Sequence, residues 1–96
     1  MHIDLESTFE KFSDEYIQFE RVEGKLHARP DLCALTLLDL LVPGNTDIIS
    51  AAEHDVFYLD IDLEKLAEVA TEDDILLLVR CGVMYDGAYN CLSMFA

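Results

Sequence analysis

The chain has 96 residues, of which 52% are hydrophobic, and a formal net charge of −14 from 20 acidic and six basic side chains. The hydrophobic content excludes a disordered acidic chain, and the length predicts a single domain with one core over residues 1–96. The charge argues against direct binding of DNA or RNA, because that binding depends on lysine and arginine displacing counterions from phosphates.

The sequence contains no signal for a membrane or for secretion. No apolar run approaches the ~20 residues that a membrane-spanning helix needs, and the N-terminus lacks the basic flank and apolar core of a signal peptide. The three cysteines, Cys33, Cys81 and Cys91, include no C-x-x-C pair, and their odd number favours reduced thiols over a disulfide framework. We therefore expect a cytoplasmic protein that makes no contact with a membrane.

The first quarter of the chain has a helical pattern. Ser7 and Glu10 have the spacing of a capping box, and aromatic residues at positions 9, 12, 16 and 19 recur at three- and four-residue steps. These signals predict a helix that ends near Gly24, with an aromatic stripe that lies in the core or, alternatively, forms a partner surface. A second interpretation makes residues 17–22 and 25–27 a hairpin.

A second helix is predicted over residues 30–42, because a proline followed by an aspartate suits a first helical turn. Beyond that turn only two residues, three apart, are polar. A helix that is apolar on nearly all sides is expected to be the central and most buried element. A short helical piece over residues 48–52, capped by Thr46 or Asp47, is expected to follow it.

The next stretch combines a strand with two helices. Residues 56–61 are rich in β-branched and aromatic side chains, which predicts a strand. It leads into a helix over residues 62–70, whose first residue, an aspartate, is placed to cap it. Thr71 and Asp74 form a further capping box and open a helix that ends near Gly82.

The tail of the chain predicts a small sheet. An Asp86-Gly87 turn signal separates two short strand-like runs, and residues 92–95 are expected to pair with residues 56–61. The expected fold class is α+β: a compact, helix-dominated domain with a two- or three-stranded β-sheet.

Acidic residues are densest between Glu53 and Asp74, where nine carboxylates face a single base, Lys65. The electrostatic field of these carboxylates attracts and steers a basic protein partner. The alternative is that the acids only keep a small apolar domain in solution. The candidate partner-binding residues are Asp60, Asp62, Glu64, Glu68, Glu72, Asp73 and Asp74. Because exposed ion pairs contribute only ~0–1 kcal/mol each, an aromatic anchor is also expected, from Tyr58, Tyr85 or Tyr89.

A metal site is the alternative. His54 and Asp55 form the His-Asp pair that metal-dependent phosphohydrolases use as ligands, and Asp60 and Asp62 would complete a metal-binding module or hydrolase site. The D-x-D-x-E run that begins at residue 60 lacks the glycine of a calcium loop. The sequence has neither a nucleophile elbow nor a glycine-rich phosphate loop. We therefore expect no catalysis and no cofactor.

The C-terminal half, through A-E-H-D, L-V-R-C-G-V-x-Y-D and L-S-M-F, resembles small uncharacterised proteins encoded by bacteriophages and prophages. The resemblance implies a bacterial or phage-infected cytoplasm, where small acidic proteins are often anti-restriction, anti-CRISPR or nucleic-acid-mimicking inhibitors. The predicted function is thus a non-enzymatic inhibitor or regulator of a basic, nucleic-acid-binding protein. An immunity or antitoxin-type protein and a homodimer kept in solution by its acids are alternatives.

Overall fold

A computed structural model describes residues 3–44 and 47–95. The fold is α+β, as expected, and helix-dominated. Two short 3₁₀ turns, Ser13–Glu15 and Phe19–Arg21, follow the first helix. In chain order the main elements of these residues are α1 (Leu5–Lys11), α2 (Pro30–Leu41), β1 (Ile49–Glu53), β2 (Val56–Leu59), α3 (Leu63–Val69), α4 (Glu72–Arg80), β3 (Val83–Asp86) and β4 (Cys91–Phe95).

The strands form one antiparallel sheet in the order β1-β2-β4-β3. Strand β4 pairs with β2 on one side, where Leu92 lies opposite Leu59, and with β3 on the other, where Met94 lies opposite Val83. The predicted pairing of the last strand with residues 56–61 is confirmed. The sheet has four strands rather than two or three, because β1 adds an edge strand that the sequence did not indicate.

Strand β1 occupies the place of the helix expected over residues 48–52, and that prediction is wrong. Asp47 caps no helix, and Thr46 lies outside the described residues. A two-residue turn at His54 and Asp55, with φ of 53° and 66°, folds β1 back onto β2. Turns with two positive φ angles match the twist of antiparallel strands, so pairing with β2 determines the conformation of this segment.

Helix α1 begins earlier and ends sooner than the sequence predicts. The carboxylate of Asp4 caps it, accepting a hydrogen bond from the N–H of Ser7 at 3.3 Å, so Ser7 is not the cap. The helix ends at Lys11, and neither its continuation to Gly24 nor the alternative hairpin is present. Residues 13–21 instead form the two 3₁₀ turns.

Contacts distant in sequence determine the path of this segment. Ile17 has a φ of 60°, a left-handed conformation that interrupts a helix, and its N–H donates to the carbonyl of Val79 at 3.0 Å. The aromatic stripe nevertheless packs on the core, which confirms that prediction. Its members are Phe9, which is buried, and Phe12, Tyr16 and Phe19, which are partly buried.

Helix α2 has the predicted position but not the predicted burial. Leu40 is 65% exposed and Leu32 is also exposed, because neighbouring elements cover only one side of the helix. Its covered side is buried through four residues, whereas α4 buries three, namely Ile75, Leu78 and Val79. Of the helices in residues 3–44 and 47–95, none is long and apolar enough to cross a membrane.

Helices α3 and α4 begin where the sequence predicts. Asp62 caps α3 by accepting from the N–H of Lys65 at 3.2 Å. The Thr71 hydroxyl accepts from the N–H of Asp74 at 3.2 Å, and the Asp74 carboxylate accepts from the N–H of Thr71 at 2.9 Å. Gly82 follows α4 with a φ of 99°, a conformation that favours glycine over other residues.

The two faces of the sheet have different environments. Side chains alternate along each strand, so the register assigns every residue to one face. The inner face belongs to the core that the helices cover, through Phe57, Leu59, Val83, Leu92 and Met94. The opposite face, here called the outer sheet face, lies outside that core cluster and consists of Val56, Tyr58, Met84, Cys91, Ser93 and Phe95.

Candidate functional site

The seven candidate acids lie on the end of β2, on α3 and on the first turn of α4. All are exposed except Asp74, which is half-buried. Helix α3 presents Glu64 and Glu68 one turn apart on the same side, while Asp60 precedes the helix directly after β2. The connection between α3 and α4 is short, so the three acids at the start of α4 follow this pair closely in the sequence.

Three of the seven acids have structural partners. Asp62 and Asp74 are the caps of α3 and α4. Glu72 accepts a hydrogen bond from Lys11 at 2.9 Å, in an exposed ion pair that links α4 to α1. These carboxylates contribute to the fold whether or not a partner is bound.

The other four acids, Asp60, Glu64, Glu68 and Asp73, have no ion-pair or hydrogen-bond partner for their side chains within residues 3–44 and 47–95. Three of the six bases are engaged elsewhere: Lys11 with Glu72, and Arg21 and Arg80 with Glu15. These four carboxylates, here called the open acids, are thus the part of the predicted site that remains available to an external cation.

The first turn of α4 points its acids in different directions. Glu72 faces α1 through its contact with Lys11. Asp73 and Asp74 instead line a cleft of about 360 Å³ that they share with Val22 and other residues. The acids at the start of α4 therefore do not all share one face.

The three candidate tyrosine anchors lie in different places. Tyr58 on the outer sheet face stacks edge to face with Tyr89 of the β3–β4 turn, with ring centroids 5.5 Å apart, and Tyr89 is 71% exposed. Tyr85 belongs to the inner face, packs near Phe9 and donates its hydroxyl to Asn90 at 3.0 Å. The outer sheet face and the β3–β4 turn thus offer two aromatic anchors side by side.

Carboxylates flank this aromatic pair. Partial burial raises the pKa of the Tyr58 hydroxyl, and the charges of Tyr89, Glu53 and Asp86 raise it further. Phe95, 57% exposed, lies on the same face next to β2. An apolar centre with an acidic margin is therefore the second candidate contact surface. This surface was not predicted from the sequence, although the alternation in the C-L-S-M-F run of β4 indicates which of its residues share a face.

The residues of the alternative metal site do not come together. His54 and Asp55 form the exposed turn between β1 and β2, whereas Asp60 and Asp62 follow the other end of β2. A strand rises ~3.3 Å per residue, so β2 separates the two pairs by roughly 16 Å. Among residues 3–44 and 47–95, no group of three or more histidine, cysteine or acidic side chains has the geometry to hold a metal ion.

The cysteines are free thiols, as the sequence predicts. Burial, with a smaller contribution from the neighbouring Cys33, raises the pKa of the Cys81 thiol to about 12. Partial burial and the charge of Asp86 raise the pKa of Cys91 as well. A thiol is nucleophilic only as the thiolate, so these environments suit structural side chains rather than reactive ones.

Glu15 is a residue that the sequence analysis did not single out. Its carboxylate accepts hydrogen bonds from Arg80 at 2.9 Å and from Arg21 at 2.8 Å. The bond from Arg80 lowers the pKa of the Glu15 carboxyl below its ordinary value, against an opposing effect of burial, and Arg21 lowers it further. This cluster fastens the 3₁₀ segment to α4. Glu15 and Arg80 are 65 residues apart in the chain, so no local pattern indicates their contact.

Comparisons of the chain with protein-family models, with curated proteins and with solved structures found no match. The chemistry of the surface is therefore the available indication of what this chain binds. That surface offers open carboxylates and an apolar sheet face with an acidic margin.

Proposed function

We propose that this chain is a small, acidic, non-enzymatic interaction protein that binds a basic surface of another protein, namely its nucleic-acid-binding site. The observation that carries the proposal is the set of open acids. Asp60, Glu64, Glu68 and Asp73 are solvent-exposed and lack a cationic partner among the described residues. A basic protein surface supplies those partners, and its phosphate-binding lysines and arginines already suit anions.

Charge alone does not give affinity. An exposed ion pair typically contributes ~0.2–1 kcal/mol, so four such pairs set the association rate and the orientation more than the strength of binding. The aromatic pair at the outer sheet face, Tyr58 and Tyr89, supplies the apolar anchor that tight binding needs. Glu53 and Asp86 beside it favour the same basic partner.

The same two carboxylates argue against self-association through this face. In a symmetric homodimer the same patch of both copies forms the interface. Glu53 and Asp86 of both copies would then crowd one apolar patch, and like charges at short range oppose association. A monomer by light scattering at low salt is therefore expected, and a dimer there would favour the homodimer alternative.

The resemblance of the C-terminal half to phage and prophage proteins supports the biological setting. A phage protein with this surface would act as an anti-defence inhibitor or a nucleic-acid mimic in an infected bacterium. An immunity or antitoxin-type protein would use the same acids on a basic toxin. A toxin gene beside the coding sequence would favour this second setting.

The test compares capture of host proteins by three forms of the tagged chain at low and high salt. Glu64→Gln with Glu68→Gln removes two open acids, and Asp14→Asn with Glu20→Gln removes two exposed acids from outside the site. We expect a basic protein that the wild type and the control variant retain at low salt, that the open-acid variant loses, and that duplex DNA displaces. Equal retention by both variants, or retention indifferent to salt, contradicts the proposal.

A further inference from the structure

A groove of about 500 Å³ runs between α1 and β3. Its apolar lining comes from four parts of the chain, namely α1, the 3₁₀ segment, α4 and β3, through Phe9, Tyr16, Val79, Val83 and Tyr85. The volume falls in the range of sites that hold one or two side chains or a small ligand. None of the open acids lines the groove, and it shares only Met84 with the outer sheet face, so the contacts proposed above leave it unused.

One wall of the groove is the edge of the sheet. Strand β3 pairs with β4 on one side only, and among the described residues no strand pairs with its other side. The outward N–H and C=O groups of such a strand can receive an added strand. The groove thus offers main-chain hydrogen bonds along β3 beside an apolar space.

The hydroxyl of Tyr16 gives a second indication of a ligand. Its oxygen is buried, and it has no hydrogen-bond partner in the described protein. Burial also raises the pKa of this hydroxyl, so it stays protonated and remains a donor. A buried donor without an acceptor costs free energy, which a ligand carbonyl would recover.

The rim of the groove is acidic. Glu6 and Glu10 lie one turn apart on α1, are exposed, and line the groove at the side opposite β3. Neither has an ion-pair partner among the described residues. Their charges select for lysine or arginine in whatever occupies the groove.

We infer that the groove between α1 and β3 binds an extended segment of the basic partner. The segment adds a strand to β3 and places an apolar side chain against Phe9 and Tyr85, which line the groove together. A lysine or arginine within two residues of that side chain then meets Glu6 and Glu10. That the occupant belongs to a basic partner rests on the proposed function, whereas the binding of an extended segment in the groove does not.

The direct test uses a short synthetic peptide that alternates valine with lysine, added to the intact isotope-labelled protein. We expect amide shifts concentrated in α1, β3 and Tyr16. Two matched peptides, one with glutamate in place of lysine and one with serine in place of valine, are expected to bind far more weakly. Absence of shifts up to millimolar peptide, or shifts confined to α3 or the outer sheet face, overturns the inference.

Two variants test the roles of the acidic rim and of the Tyr16 hydroxyl in peptide binding. Glu6→Gln with Glu10→Gln is expected to weaken the peptide by up to about fivefold for each lost ion pair and to flatten the salt dependence. Tyr16→Phe is expected to weaken the peptide while leaving the free protein at least as stable, since it removes a donor that lacks an acceptor. Unchanged affinity in both variants contradicts this mode of binding.

A further comparison separates this inference from the proposed function. Glu64→Gln with Glu68→Gln lies outside the groove and is expected to leave peptide binding unchanged while it reduces capture of the partner. If the peptide binds as expected but no basic protein is captured, the proposed function fails and the groove stands. If shifts in α1 and β3 appear with rising protein concentration alone, a second copy is the occupant and the inference is wrong.

Discussion

At the scale of single residues, the carboxylate of Glu15 connects parts of the chain that the sequence separates. It lies between the guanidinium groups of Arg21 and Arg80, and its side chain is 19% exposed. Ile17 adds the backbone contact with Val79 in the same region. Together these contacts explain why residues 13–21 leave the helical path, and they make the ionisation of Glu15 part of the folding equilibrium.

Glu15→Gln is expected to lower the melting temperature by a few degrees at pH 7. The folded-state pKa of Glu15 is lowered from its ordinary value of 4.5, so the stabilisation is fully present above about pH 4.5 and is lost as the pH falls through the lowered value. The difference from the wild type should therefore shrink on acidification. Thermal unfolding between pH 3 and 7 measures it. Glu20→Gln, exposed nearby, serves as the control, and an equal pH dependence in both variants contradicts the argument.

At the scale of elements, the sequence predicts those structures that depend on neighbours in the chain. The capping residues Asp62, Thr71 and Asp74 mark the starts of α3 and α4, because each cap bonds an amide three residues away. The strand over 56–61 and the turn at Asp86-Gly87 are likewise local patterns. Two of the seven candidate acids, Asp62 and Asp74, follow from the same logic, since their roles as caps could be predicted from the sequence.

The elements that the sequence analysis predicted wrongly depend on distant partners. Strand β1 is exposed along its whole length, so no alternation of apolar residues marks it, and only pairing with β2 makes it a strand. The walls of the groove come from residues 6–16 and from β3, which are far apart in the chain. The pairing of Glu72 with Lys11 spans 61 residues and is equally invisible to periodicity.

The turn between β1 and β2 gives a prediction at this scale. Asp55 has a φ of 66°, a left-handed conformation that costs a residue with a side chain ~1–2 kcal/mol relative to glycine before unfolded-state entropy is counted. Asp55→Gly is therefore expected to stabilise the protein by ~0.5–1 kcal/mol, measured by urea unfolding. The charge-matched control, Glu53→Gly in β1, should destabilise it. A loss of stability in Asp55→Gly would contradict this account of the turn.

At the scale of the whole molecule, charge is unevenly distributed over a small body. Residues 1–29 hold seven acids and four bases, whereas residues 30–96 hold thirteen acids and two bases. The radius of gyration is 12.1 Å, which is shorter than the Debye length of roughly 20 Å at about 0.02 M salt, so at low salt the acids repel one another across the molecule. Repulsion of this kind destabilises the folded state, and a partner that neutralised it would stabilise the complex.

Salt should therefore raise the melting temperature. Between about 0.02 and 0.3 M NaCl the Debye length falls from roughly 20 Å to roughly 6 Å, which screens repulsion among the acids more than it weakens the few ion pairs at contact distance. Glu64 and Glu68, one turn apart on α3, add a like-charge pair that costs ~0.2–0.5 kcal/mol.

Glu64→Gln with Glu68→Gln should accordingly raise the melting temperature at low salt and flatten its rise with salt, even though the same change reduces capture of a basic partner. Calorimetry of the wild type and this variant across the salt series measures both effects. The control Asp14→Asn with Glu20→Gln loses the same charge outside α3 and is expected to gain less. A melting temperature that falls steadily with salt would show that favourable ion pairs outweigh the repulsion. The open acids would then be part of the fold rather than a surface held ready for a partner.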